Sequence, residues 1–99
     1  MKSHKAIIHW KRYDEGGRST QLSNGVRYFP NIVLDNDPDE AYWSVVFRVA
    51  PTDQHGWSTV DLELLADAEE ALRFESRFSP NITFSLREGK MIVATGRFI

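Results

Sequence analysis

The chain has no cysteine, which excludes disulfide cross-links and thiolate metal sites together. A small domain of this kind must be held by packing alone, and the cytoplasm is the expected location, since small secreted domains lean on disulfides. No apolar run approaches the roughly 20 residues that a bilayer-crossing helix requires. The basic start Met1-Lys2-Ser3-His4-Lys5 has no signal-type apolar region behind it, so no membrane association is expected. Histidine is scarce as well. His4, His9 and His55 fall in a tail, on an outward strand face and in a loop, with no His-x-x-x-His spacing, so neither a zinc site nor any other cofactor is expected. The Gly-x-x-x-x-Gly-Lys-Ser/Thr phosphate loop and the Gly-x-Ser-x-Gly nucleophile elbow are both missing, which argues against nucleotide hydrolysis and serine-type acyl transfer.

What is present is enough apolar surface, spread over all 99 residues, for one compact domain spanning residues 1–99 and not two. Charge is unevenly distributed. Residues 1–27 carry six Lys or Arg against two acids, residues 28–70 one against ten, and residues 71–99 five against two. If the first and last strands are neighbours, the surface has a basic and an acidic side, which either steers a partner or is merely solvated charge.

The apolar residues recur mostly with period two in short runs bounded by turn residues, the signature of an antiparallel all-β domain. Strands are expected over residues 6–13, 26–34, 41–49, 58–65, 81–86 and 91–99. Ala6, Ile8 and Trp10 share one face of the first. Ala41, Trp43, Val45, Phe47 and Val49 share a face of the third, and Val60, Leu62 and Leu64 a face of the fourth. Pro30 limits the second strand, because a proline cannot donate to a ladder, and places it on an edge or bends it there. Residues 87–90, Arg-Glu-Gly-Lys, read as the turn of a closing hairpin.

Two stretches are harder to place. Asp67-Ala68-Glu69-Glu70 reads as a helix N-cap followed by an acid three residues on, and Leu65, Ala68 and Leu72 would share one helical face, giving a short helix near residues 67–77. Extended structure over residues 72–78 is the alternative. Residues 35–40 are rich in acid and invite calcium, but Pro38 within them and the lack of a glycine at the sharp turn favour a plain acidic connection. Asp14 and Glu15, paired at a turn without a convergent base or nucleophile, favour turn formation over acid–base catalysis. Among aromatics, Trp10 and Trp43 fit inward positions. Phe29, Trp57, Phe74 and Phe78 do not, so they either form a contact patch or, for Phe74 and Phe78, pack beneath an open barrel end.

The segment Asp14-Glu15-Gly16-Gly17-Arg18-Ser19-Thr20, followed by Asn24-Gly25-Val26-Arg27, resembles a motif in the C-terminal β-barrel domain of elongation factor Tu and related translational GTPases. There an acidic pair, Gly-Gly-Arg and a Thr lead to an Asn-Gly-aromatic-Arg turn. Residues 82–96, Ile-Thr-Phe-Ser-Leu-Arg-Glu-Gly-Lys-Met-Ile-Val-Ala-Thr-Gly, are similar to the closing hairpin of the same domain. The resemblance implies an all-β fold, a closed six-stranded antiparallel Greek-key-type β-barrel, with residues 66–80 as an insertion. It also implies that Gly16 and Gly17 shape a loop that in the family meets the T-stem backbone of aminoacyl-tRNA. Arg18 and Thr20 stand at matching positions, whereas Ser19 and Phe29 replace a histidine and a glutamine of the family pattern.

A barrel of this type without its GTPase domain keeps only its surfaces. The resemblance therefore implies a non-catalytic interaction module, with a protein partner as the first expectation and a monomer or weak homodimer as its state. The alternative is binding of tRNA-like RNA through a basic face around Lys11, Arg18 and Arg27, so the candidate contact residues are Lys11, Arg18, Thr20 and Arg27. Arg12 and Arg97 could add charge, although a pI near 5.9 is low for a nucleic-acid binder.

Overall fold

Period-two alternation becomes a ring of strands. A computed structural model describes residues 3–12, 16–17, 22–77 and 81–99. Its elements are β1 (Ser3–Trp10), β2 (Arg27–Tyr28), β3 (Asn31–Leu34), β4 (Trp43–Arg48), β5 (Trp57–Leu64), α1 (Ala68–Ser76), β6 (Thr83–Glu88) and β7 (Met91–Phe98). All pairings are antiparallel. Starting at β4 the order is β4-β3-β6-β7-β1-β5, and β5 pairs with β4 again, so six strands close a barrel. The consecutive neighbours β3, β4 and β5, with β6 returning beside β3, form a Greek key. The first and last strands are neighbours, the condition on which a basic and an acidic side of the surface depends: Ala6 faces Phe98 and Trp10 faces Ala94.

The expected strand over residues 26–34 is cut in two at Phe29-Pro30. Arg27↔Arg48 and Tyr28↔Phe47 keep the register of Asn31↔Ser44 and Ile32↔Trp43, so β2 and β3 follow one line along β4 with an interruption between them. Pro30 has no N–H to offer, yet its carbonyl still accepts from Val45 N at 3.2 Å. Beyond the break only β3 gains a second neighbour, β6, which leaves β2 an edge.

Inward positions of every barrel strand fill the core. Ala6, Ile8, Ile32, Leu34, Val45, Leu62, Phe84, Leu86, Val93 and Phe98 are nearly or wholly buried. Burying one such large side chain contributes roughly 1.5–3 kcal/mol. The β6–β7 hairpin forms around residues 87–90 as expected, with an irregular step between Leu86 and Arg87 that sets Arg87 opposite Ile92 and lets both Val93 and Ala94 be buried.

Between β5 and β6 the chain is helical, which decides between the two conformations open for this stretch. Asp67 caps α1 by accepting from Glu70 N at 2.8 Å. The buried face is not the expected one. Leu65, Ala68 and Leu72 are exposed, and Phe74 is buried instead, with its ring edge-on to Trp43 at 5.6 Å and to Phe98 at 6.3 Å. Trp43 Nε1 has no hydrogen-bond partner among the described residues, and its ring carries the Arg73 guanidinium at 5.8 Å. Phe74 thus closes the barrel end where β1 and β4 begin and β7 ends, as the packing alternative held; Phe78 lies outside the described residues. His4 also departs from expectation. It belongs to β1 and not to a tail, opposite Leu62, and is buried between Phe74 and Phe98 with Nε2 3.1 Å from Glu75 Oε1.

Candidate interaction surface

The barrel end opposite α1 is built by the last residues of β1 and β4 and by the loops that follow them. Lys11, one step beyond β1, donates its N–H to Val93 O at 2.9 Å, which extends the β1–β7 pairing into the loop. The chain then turns back on itself, Gly17 N donating to Arg12 O at 2.9 Å. A Cβ on Gly17 would lie 2.8 Å from the Lys11 carbonyl carbon and 2.9 Å from Arg12 O, and Gly16 has a φ of +90°, so the Gly-Gly pair is required by backbone shape. Tyr13, Asp14, Glu15, Arg18, Ser19 and Thr20 lie outside the described residues, and with them two of the four expected contact residues.

The other two, Lys11 and Arg27, line different concavities. Lys11 and Arg12 border a cleft of about 720 Å³ together with Trp10, Leu22, Thr52 and Gly56. The Trp10 ring backs this cleft and packs at 5.8 Å on Tyr28 and 6.2 Å on Phe47. Arg27 borders a groove of about 650 Å³ that runs along β4 and β5. Asn24, Val49, Ala50 and Pro51 line both, so the two expected cations stand on either side of a common wall.

Arg27 has a companion that sequence reasoning missed. Arg48, the sole basic residue of the acidic segment 28–70, faces Arg27 directly across the β2–β4 ladder. Like charges opposite one another on a sheet are unfavourable. Arg48 relieves part of this by donating from Nη1 to Gly25 O at 3.1 Å, while the Arg27 guanidinium lies over the exposed Phe29 ring at 5.3 Å. The signal was available in the hairpin register: the residues that pair across a turn have position numbers with a constant sum, which matches 27 with 48 once 32 is matched with 43.

The loop from β4 to β5 completes this end. Asp53 Oδ1 accepts from His55 N at 2.8 Å and Trp57 N at 3.0 Å, and these bonds, Trp57's first and His55's second, hold the Asp53 carboxyl below the usual aspartate range. His9 reaches the same loop, with Nε2 2.9 Å from His55 O and its ring 4.8 Å from that of Trp57. The fold thereby brings two of the three histidines together, but no group of three or more metal-ligating side chains occurs among the described residues. At the other end, Asp37 accepts from Asp39 N and Ala41 N and pairs with Arg77 at 3.3 Å, so part of the acidic stretch 35–40 is used to shape its own connection. No helix among the described residues is long and apolar enough to cross a membrane.

The chain matches no protein-family model and no curated protein.

Proposed function

We propose that the protein is a non-catalytic interaction module, a barrel of translation-factor type that binds another protein in the cytoplasm. The observation that carries this reading is the division of side chains between core and barrel end. Apolar residues fill the interior, while Lys11, Arg12, Arg27 and Arg48 line two open concavities with a common wall and Arg27 stacks on the exposed Phe29. An arginine stacked on an exposed aromatic is the kind of pair from which protein interfaces draw much of their binding energy. The resemblance of residues 14–27 and 82–96 to the barrel of translational GTPases supports the same reading, since in that family the barrel contacts its own GTPase domain and exchange factors as well as tRNA.

Structured RNA is the second reading. Lys11 and Arg12 beside Trp10 supply what an RNA surface uses, cations for phosphates and an aromatic ring. The two are separated by titrating the ¹⁵N-labelled chain with tRNA at low salt. Unchanged amide spectra are expected. Shifts clustered at Lys11, Arg12 and Arg27 that disappear as salt rises would establish RNA binding in place of protein binding. For the protein partner, a photo-reactive residue placed at Lys11 or Arg27 is expected to cross-link one specific protein in native lysate, and recovery of none would count against the module. Sedimentation velocity over a concentration series reads the self-association expected to be absent or weak.

A further inference from the structure

The seam between β4 and β5 differs from the rest of the ring. β5 pairs with β1 from Ser3↔Glu63 to His9↔Trp57, but with β4 only at Val45↔Leu64 and Val46↔Glu63. On one side Leu65 N continues the ladder to Ser44 O at 2.8 Å. On the other the strands are next joined by a side chain, Ser58 Oγ donating to Ala50 O and Pro51 O at 3.3 Å. Between these points the two facing main chains carry no ladder, and the groove of about 650 Å³ lies over this stretch.

The groove has walls of opposite charge. Arg27 and Arg48 stand on the β2–β4 side, Asp61 and Glu63 on β5, and Val46 lines the groove between them. None of these four charges makes an ion pair among the described residues. Two cations therefore face two anions across a gap they do not close, while neighbouring main-chain groups lack a strand partner. Such an arrangement is complementary to an extended chain of mixed charge.

We propose that this groove docks an extended protein segment that presents an acidic side chain to Arg27 and Arg48 and a basic one to Asp61 and Glu63, with its main chain along the unladdered stretch of the seam. The proposal rests on the reading of the protein as an interaction module and names the chemistry of its partner. A phosphate polymer fits less well. Its charges repeat every few ångströms along a strand, so phosphates set against Arg27 and Arg48 would be followed by others set against Asp61 and Glu63. A peptide can change sign from one side chain to the next.

The test is selection of phage-displayed random dodecapeptides on the immobilised full-length chain, followed by fluorescence anisotropy and amide-shift mapping with the enriched peptides. These peptides are expected to pair an acidic with a basic residue and to shift the amides of Arg27, Arg48, Asp61 and Glu63. R48E is expected to weaken them by about tenfold, the scale of one well-placed charge pair. The charge exchange R48E/D61K should recover affinity for peptides whose two charged residues are interchanged. All substituted side chains are exposed or half-exposed, and circular dichroism verifies that the variants fold. Failure to enrich any peptide, or binding indifferent to these reversals, overturns the proposal. Peptides that shift only Lys11, Arg12 and their cleft overturn it while leaving the interaction module standing. A tRNA that shifts Arg27 and Arg48 where no peptide does removes both.

Discussion

His4 Nε2 lies 3.1 Å from Glu75 Oε1, which ties the first strand of the barrel to the helix that covers its end. The imidazole is almost fully buried between the Phe74 and Phe98 rings, with centroids at 5.8 and 5.9 Å, whereas one third of the Glu75 side chain is accessible to solvent. Packing should therefore outweigh the polar contact with Glu75. His4→Ala is expected to lower the free energy of unfolding in urea by about 2–3 kcal/mol, through lost contacts and a residual cavity. Glu75→Ala should cost less, about 1 kcal/mol or below. Equal losses would show that the contact with Glu75, not the packing of the ring, holds the helix.

The faces of α1 give a second comparison. Phe74→Ala should cost about 3–5 kcal/mol, as large core truncations do, and should also loosen the amide-exchange protection of the helix. Leu72, 72% exposed, should tolerate alanine within about 0.5 kcal/mol. Removing the Asp67 cap should cost about 1 kcal/mol. A Leu72→Ala loss comparable to that of Phe74→Ala would mean that the helix packs with its other face inward.

Two glycines of the closing hairpin separate steric from conformational demand. At Gly96 a Cβ would come within 2.5 Å of Ile7 O and 2.9 Å of Ile8 Cγ2 and Phe84 Cζ, so Gly96→Ala must push β1 away from β7. Gly89 has open space around it but a φ of +60°, so Gly89→Ala should cost only about 1–2 kcal/mol in backbone strain. The Gly96 variant is expected to be the less stable of the two in thermal melts and to move the amide resonances of Ile7 and Ile8. The reverse order would contradict the close β1–β7 approach.

Asp53 makes the β4–β5 loop sensitive to acid. Its carboxylate is held below the usual aspartate pKa, about 3.9, by the N–H groups of Trp57 and His55. A lowered native value means that the contribution is fully present above the ordinary aspartate value and is lost as pH falls through the native one. In an acid titration followed by NMR, the His55 and Trp57 amides should shift with a midpoint below that of a free aspartate. Asp53→Asn, which keeps an acceptor oxygen but does not titrate, should abolish the transition. A midpoint at or above the ordinary value would refute the assignment.

The strand pattern was legible because inward residues such as Val45, Phe47, Val60 and Leu62 repeat every second position, and alternation is a local property of the backbone. The Pro30 break and the Asp67 cap were legible for the same reason, since a missing N–H and a capping carboxylate act within a few residues. His4 was misread because its strand neighbours, β5 and β7, lie far along the chain and no local signal distinguishes a frayed start from a paired one. The face of α1 was misread because Leu72 and Phe74 are both apolar, and only the position of the barrel end chooses between them. Of the expected contact residues, Lys11 and Arg27 are placed at the end opposite α1, on separate concavities. Arg48 was overlooked because its importance comes from the residue it faces.

Composition and alternation thus determined by themselves an antiparallel β domain without disulfides, the approximate run of most of its strands and its closing turn, and offered Asp67 as a helix cap that the structure then chose over extended chain. Tertiary structure decided which strands meet, that Phe74 closes one end, and that Arg27, Arg48, Asp61 and Glu63 share a groove without pairing. Period and capping are settled within a few residues of chain, whereas ring closure and the grouping of distant charges depend on contacts between residues tens of positions apart.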